Sequence, residues 1–366
     1  MIIILDKKEF ADGVASVAKF AQRTSASLPV LSGIAIIAGD DGIKLRATNL
    51  ETGIDLSLAG TIKEPGVVAL PANVLREITA SISGSGPLTL EQSGSTVTVT
   101  SGTGTSTLKT LAYEDFPVLP LPESPKATFV LPGAILRTLV GSVAAYASVS
   151  TVRPELSSVY LSIEGGVITA VATDSFRLAE KKISLAGSAS PCTLLIPAKN
   201  AQDIIQVLPD TDVQVSLDDH QCVFMWKGGL VTTRLVAATY PDYVQIIPKA
   251  ATGEAVVLKK DFEAALKRTA VFSDAFQKVR LNLSPSDKKV TLRSQNTDVG
   301  ESVESILGNL TGEGAELSFN HRYLSAPLGT IGSESVTLSR SGIGRAMIMR
   351  GTGDPSFLYL VMPMNQ

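Results

Sequence analysis

Apolar and polar positions alternate through VATDSFRLAEKKISL, residues 171–185, with Thr173, Asp174 and Ser175 interrupting as a turn. A period of two marks half-buried strands on either side of that turn. Ahead of it lie another alternating run, LSSVYLSI (156–163), and a run of helical period, LPGAILRTLVGSVAAYA (131–147). After it come a second helical run, IPAKNAQDIIQVL (196–208), and two more strands. The same order of elements recurs toward both ends of the chain.

The first helical run is LDKKEFADGVASVAKFA (5–21), with Phe10, Val14, Val17 and Ala21 on one face. Asp6 with Glu9 three residues on reads as a capping box. The runs at 69–83, 131–147 and 196–208 place Pro71, Pro132 and Pro197 at helix starts, where a missing N–H costs nothing. Leu75, Ile78 and Ile82 form the stripe of the run at 69–83. In LKKDFEAALKRTAVF (258–272) the apolar face is Phe262, Ala265, Leu266 and Thr269, and FNHRYLSAPLGTIG (319–332) is a short helix capped by Asn320. Asp40-Asp41-Gly42 is a hairpin signal, and strict Thr/Val alternation at 96–100 predicts strands in a stretch rich in Gly, Ser and Thr.

The six helical runs start near residues 6, 71, 131, 197, 259 and 320, a regular spacing that predicts a repeat architecture. Each half-repeat is one amphipathic helix plus about four strands, and two half-repeats make a domain. The fold class is α+β, with three similar domains at 1–124, 125–250 and 251–366 and Pro or small residues at both boundaries. One helix covers only one face of its sheet. Six such units side by side would curve into an arc with helices on one side and sheets on the other. Strands at the two ends of the arc would be open edges, and pairing them with a second copy would close a ring.

Composition narrows the picture. Hydrophobic residues make up 44% and charged residues 18%, and the net charge is −3, so nucleic-acid binding must come from local patches. Cys192 and Cys222 lack metal-ligand spacing and read as reduced thiols. The opening MIIIL is too short for a signal-peptide core, and no apolar run approaches membrane-spanning length, so a cytoplasmic protein without a membrane partner is expected.

LPVLSG (28–33), ATNLE (47–51), LPANVLREI (70–78), EDFPVLP (114–120), RPELSSV (153–159), VATDSFRLA (171–179), IPAKNAQDI (196–204), YPDY (240–243), VRL (279–281), FNHRYL (319–324) and LVMPM (360–364) together resemble the bacterial DNA polymerase III beta subunits, the sliding clamps. The resemblance covers the whole chain in order. It implies a non-catalytic, head-to-tail homodimeric ring of clamp domains, helices inside and sheets outside, around double-stranded DNA without regard to sequence. It implies no cofactor, and as partners the replicative polymerase alpha subunit, the clamp loader and other proteins carrying a clamp-binding motif.

Helical cations suit a phosphate-facing inner wall, and Lys7, Lys8, Lys19, Arg76, Arg137, Lys199, Lys259, Lys260, Lys267, Arg268 and Arg322 lie on the helical runs. The resemblance adds Arg23, Ser150 and Arg153 as loop contacts to DNA. It further implies a client-peptide groove at Leu156, Thr173, Ser175, Phe176, Arg177, Leu178, Pro241, Ile246, Phe276, Asn320, Tyr323, Val361, Met362, Pro363 and Met364. An apolar hollow walled by Leu, Ile and adaptable Met, with a few polar groups to fix a peptide backbone, is chemically apt. Three positions depart from the family: Ser175-Phe176 where Gly-His is frequent, Gln245 where a basic residue is common, and Asn365-Gln366 where Arg-Leu is frequent. The groove is therefore expected to be bulkier at Phe176 and less cationic at its rim. Leu108, Val271 and Phe272 are candidates for the contact between copies.

No Walker loop, dinucleotide motif or metal-ligand cluster is present, and neither His220 nor His321 has a nucleophile or carboxylate at catalytic spacing. Asp210, Asp212, Asp218 and Asp219 read as solvated turn charge. The competing reading is a three-domain β-rich scaffold that binds something other than DNA.

Overall fold

The computed structural model describes residues 1–22, 28–82, 86–185, 190–342 and 344–364. Six times the chain runs strand, helix, strand, strand, strand. The first pass is β1 (Ile2–Asp6), α1 (Lys7–Val17), β2 (Gly33–Gly39), β3 (Gly42–Thr48) and β4 (Thr52–Leu58), with an added β5 (Gly60–Glu64). The second is β6 (Gly66–Pro71), α2 (Ala72–Ser81), β7 (Pro87–Ser93), β8 (Thr96–Ser101) and β9 (Gly104–Lys109). The third is β10 (Ala127–Pro132), α3 (Gly133–Val143), β11 (Ser158–Glu164), β12 (Val167–Thr173) and β13 (Arg177–Ser184). The fourth is β14 (Cys192–Pro197), α4 (Ala198–Ile205), β15 (Asp212–Leu217), β16 (Gln221–Trp226) and β17 (Gly229–Arg234). The fifth is β18 (Gly253–Leu258), α5 (Lys259–Ala270), β19 (Lys278–Ser284), β20 (Lys289–Asn296) and β21 (Gly300–Gly312). The last is β22 (Ala315–Asn320), α6 (His321–Ser325), β23 (Ser335–Arg340), β24 (Met347–Gly351) and β25 (Phe357–Val361).

The strand ahead of each helix pairs antiparallel with the first strand after the neighbouring helix. Thus β1 pairs with β7 and β6 with β2, β10 with β15 and β14 with β11, and β18 with β23 and β22 with β19. Neither half-repeat satisfies its backbone donors and acceptors alone, which is why two halves make one domain.

These exchanged strands displace the expected helix starts. Pro71, Pro132 and Pro197 close β6, β10 and β14, and each helix begins one residue later. Pro71 sits at φ −56° and ψ 117°, extended rather than helical. Asp6 caps α1, its carboxylate accepting from the N–H groups of Lys8 at 2.9 Å and Glu9 at 3.0 Å. Glu9 does not complete a capping box; its carboxylate accepts instead from the Ala59 N–H at 2.9 Å, tying the helix to the β4–β5 link. Phe10, Val14 and Val17 on α1, and Phe262, Ala265, Leu266 and Thr269 on α5, are buried. On α2, Leu75 is buried while Ile78 and Ile82 are half-buried.

The chain packs into two compact units. Residues 1–138 and 199–237 form one, built on a five-stranded sheet, β5-β1-β7-β8-β9, and an eight-stranded sheet, β10-β15-β16-β17-β4-β3-β2-β6. Residues 139–198 and 238–366 form the other, built on a twelve-stranded sheet, β14-β11-β12-β13-β25-β24-β23-β18-β21-β20-β19-β22. Residues 125–250 are shared between the units because β17 pairs with β4 in the first and β13 pairs with β25 in the second. Among the described residues no helix is long and apolar enough to cross a membrane.

Candidate peptide-binding groove

In the unit of residues 139–198 and 238–366, the turn between β12 and β13 is built by its own side chains. Thr173 Oγ1 donates to the Arg177 carbonyl at 2.7 Å and accepts from the Ser175 N–H at 3.1 Å. The Asp174 carboxylate accepts from the N–H groups of Phe176 and Arg177, both at 3.0 Å, and from Arg177 Nε at 2.8 Å. Short polar side chains that bond the local backbone in this way override the ladder. They hold Ser175 at φ 76° and leave Phe176 61% exposed. A side chain in the left-handed region is strained by about 1 kcal/mol. Ser175→Gly is therefore expected to stabilise this unit by up to about 1 kcal/mol, read as a raised calorimetric melting temperature.

Strand register brings the chain's end to this turn. Val361 lies opposite Arg177 and Leu360 opposite Leu178. Beyond β25 the backbone stays anchored, the Met362 N–H donating to the Phe176 carbonyl at 2.8 Å and the Met364 N–H to the Ser318 carbonyl at 2.7 Å. Met362 is exposed, and Pro363 and Met364 are half-buried. Beneath them Val171, Leu178, Ala346, Ile348, Leu358 and Leu360 form a buried floor, against which Tyr160, Tyr240, Tyr243 and Ile247 pack. Residues 240–247 thus strap across the sheet with Pro241, Val244 and Ile246 facing out.

Arg177 organises one end. Its guanidinium carbon lies 4.7 Å from the ring centroid of Tyr323 and 5.3 Å from that of Tyr146, and the rings of Tyr146 and Tyr359 lie 5.1 Å apart. The Tyr359 hydroxyl donates to the Tyr323 carbonyl at 2.8 Å. Burial opposes the Arg177 charge, but Asp174 and Tyr359 hold its pKa above the ordinary arginine value. Burial pushes the Tyr146 and Tyr359 hydroxyls up, so both stay neutral. Asn320 caps α6, the helix that carries Tyr323, its side chain accepting from the Arg322 N–H at 2.9 Å. The His321 N–H donates to the Gln277 carbonyl at 2.8 Å, which brings the loop carrying the exposed Phe276 to the start of α6.

Of the expected groove residues, Thr173, Ser175, Phe176, Arg177, Leu178, Val361 and Met362 are joined directly, and Tyr323 is joined through Arg177. Pro241 and Ile246 lie on the strap, and Leu156 is buried at the foot of β11. Tyr146, Glu180, Tyr243 and Tyr359 escape a reading of the sequence. The first and last sit in apolar runs that look like plain core. The alternation of β13 does flag Glu180, an acid on the face of Leu178 and itself buried.

The candidate cations divide into exposed side chains and one committed to its own fold. Arg76 on α2 and Lys260 on α5 are exposed. Lys199 pairs with Asp203, and Arg153 with Glu155 at 2.9 Å, each an exposed cation on a half-buried acid. Such surface pairs are worth about 0–1 kcal/mol, so a phosphate can displace them. Ser150 lies in the exposed loop before β11. Arg137 is committed elsewhere: its guanidinium donates to the carbonyls of Leu208 and Pro209 and pairs with Asp210, tying down the chain after α4. Arg23 lies outside the described residues, as do Asn365 and Gln366.

Of the contact candidates, Leu108 points into the core of its own sheet. Val271 is 67% exposed and Phe272 half-buried at the end of α5. Among the open strand edges of the described residues, β9 ends the five-stranded sheet, and residues 300–307 of β21 pair only with β20, leaving Val303 and Leu307 exposed. Among the described residues no group of three or more His, Cys, Asp or Glu side chains is placed to hold a metal.

Comparison with known proteins agrees along the whole chain. Residues 1–120, 130–242 and 244–365 match the N-terminal, central and C-terminal domains of the DNA polymerase III beta subunit. A beta sliding clamp of Synechococcus elongatus is 29% identical over 92% of each chain, and one of Bacillus subtilis is 26% identical over 100% of this chain and 99% of its own. The crystal structure of a Pseudomonas aeruginosa sliding clamp bound to griselimycin superposes with a TM-score of 0.93 at 25% identity, covering 100% of both chains. A DNA polymerase III beta subunit from Thermotoga maritima shares the fold with a TM-score of 0.93 at 21% identity.

Proposed function

The chain belongs to the DNA polymerase III beta subunit family and is a DNA sliding clamp of replication, a non-catalytic subunit, and we propose how its surfaces divide that work. Three clamp domains, at 1–124, 125–250 and 251–366, form one subunit of a cytoplasmic head-to-tail homodimeric ring around duplex DNA. Arg76, Lys199, Lys260, Ser150 and Arg153, with Arg23, meet phosphates without reading bases. Weak, exchangeable contacts suit sliding, since topological linkage and not affinity keeps the ring in place; the net charge of −3 accords with this. The groove beside Arg177, Phe176 and Met362 takes short apolar motifs from the polymerase alpha subunit, the clamp loader and other clients.

Two of the open edges support the ring reading, β9 and residues 300–307 of β21, the latter beside exposed Val271. Pairing one edge with the other on a second copy satisfies both, and two such joints close. Light scattering is expected to give twice the 38.4 kDa chain mass. After loading, the protein should stay on circular DNA at high salt and run off once the circle is cut. A Phe272→Glu variant is expected to run as a monomer and to be retained on neither. A persistent dimer of that variant would remove Phe272 from the joint, and equal retention on cut and circular DNA would refute the ring.

A further inference from the structure

We propose that the hydrogen bond from Tyr243 to Glu180 is a latch fixing the strap 240–247 as one wall of the client groove, which makes both side chains positioning residues for peptide binding. The inference rests on the groove reading above. The Tyr243 hydroxyl donates to Glu180 Oε2 at 2.7 Å, while Lys182 Nζ holds Oε1 of the same buried carboxylate at 2.9 Å. The strap's other hydrogen bonds are its own. The Tyr243 N–H donates to the Pro241 carbonyl at 2.8 Å, the Ile247 N–H to the Val244 carbonyl at 3.3 Å, and Gln245 Nε2 to Asp242 at 2.7 Å. Tyr240 stacks on Tyr160 at 4.8 Å but its buried hydroxyl has no partner. Among the described residues, Tyr243–Glu180 is therefore the one hydrogen bond tying strap to sheet. Apolar packing alone is non-directional and lets a loop slide. A charge-assisted bond sets its register.

The chain contains its own control in the other compact unit. There the turn Thr48–Thr52 repeats the groove turn bond for bond. Thr48 Oγ1 donates to the Thr52 carbonyl at 2.8 Å and accepts from the Leu50 N–H at 3.1 Å, Asn49 accepts from the N–H groups of Glu51 and Thr52, and Leu50 sits at φ 72°. The Arg234 N–H donates to the Glu51 carbonyl at 2.8 Å, as the Met362 N–H does to Phe176. Asp55 then stands where Glu180 stands in the groove. Its cross-strand neighbour is Arg46, which takes both carboxylate oxygens at 2.6 Å, whereas the neighbour of Glu180 is Val171, and Lys182 takes only Oε1, which leaves Oε2 for Tyr243. In AYEDFPVLP, the counterpart of TYPDYVQIIP, Phe116 replaces Tyr243 and carries no hydroxyl. Gly53 replaces Leu178, and the side chain of Leu119 fills the space a Cβ there would need. A carboxylate oxygen left over and a hydroxyl at the Tyr243 position to meet it thus occur together at the groove, and both are missing from its copy.

The test titrates the full-length protein with a labelled peptide from the clamp-binding segment of the replicative polymerase alpha subunit. Tyr243→Phe and Glu180→Leu should each weaken binding about fivefold, and the double variant no further than the worse single. Glu180→Gln, whose amide oxygen still accepts, should stay within about twofold of the unaltered protein. Hydrogen exchange at the Tyr243 and Ile247 amides should quicken in Tyr243→Phe, a conservative change that preserves the packing. Unchanged affinity in both single variants, or losses that simply add, would overturn the latch and leave the groove standing. Failure of the unaltered protein to bind the peptide would overturn both.

Discussion

A chain ending at Val361 is expected to lose client-peptide affinity by at least about 100-fold and to remain dimeric. The last residue of β25 still pairs opposite Arg177 and Met347, so the sheet is intact. What goes is the run Met362–Met364, held by the Phe176 and Ser318 carbonyls, together with Asn365 and Gln366. Two methionines that cover a bound peptide are worth about 1.5–3 kcal/mol each when fully buried. Losing both removes about 3 kcal/mol or more, which is the 100-fold. Neither β9 nor residues 300–307 of β21 is touched, so the mass by light scattering should not change. Met362→Ser and Met364→Ser singly should divide the loss between them. An unaltered titration curve for the truncated chain would show that the terminal segment is not part of the groove.

Legibility in the sequence followed the range of the interaction. The stripe of Phe262, Ala265, Leu266 and Thr269, the Asn320 cap and the strand at Thr96–Ser101 rest on neighbours a few residues apart, and all are found. Pro71, Pro132 and Pro197 mislead because proline is as good at ending an exchanged strand as at opening a helix, and only the distant partner strand decides. The strand exchange itself, and the pairing of β17 with β4, join residues far apart in the chain and leave no periodic trace. Family resemblance alone proposed the groove positions, and register explains why Phe176 and Met362, so distant in sequence, lie side by side. Arg137 shows the limit of counting helical cations, since a charge on a helix is as readily spent on the carbonyls of Leu208 and Pro209 as on a phosphate.

Replacing Arg177 with alanine is expected to destabilise its unit by about 3 kcal/mol and to weaken client binding at least tenfold. The side chain is only 18% exposed, and it makes a charge-assisted bond to Asp174 and cation–π contacts to Tyr146 and Tyr323. The bond contributes about 1.5–3 kcal/mol and each ring about 0.5–1. Asp174 keeps the N–H groups of Phe176 and Arg177, so the turn itself should survive and the loss should fall on the aromatic wall. With the wedge gone, the ring of Tyr323 is free to drop toward Tyr146 and close the end of the groove. Arg177→Lys separates charge from shape. An ammonium keeps the charge but neither stacks flat between two rings nor bonds Asp174 through a planar fork, so lysine should recover less than half of either loss. Calorimetry on both variants, alongside the peptide titration, gives the answer. Full rescue by lysine would mean that charge alone matters at this position, and peptide binding undisturbed in the alanine variant would mean that the groove is organised by something other than the Arg177 stack.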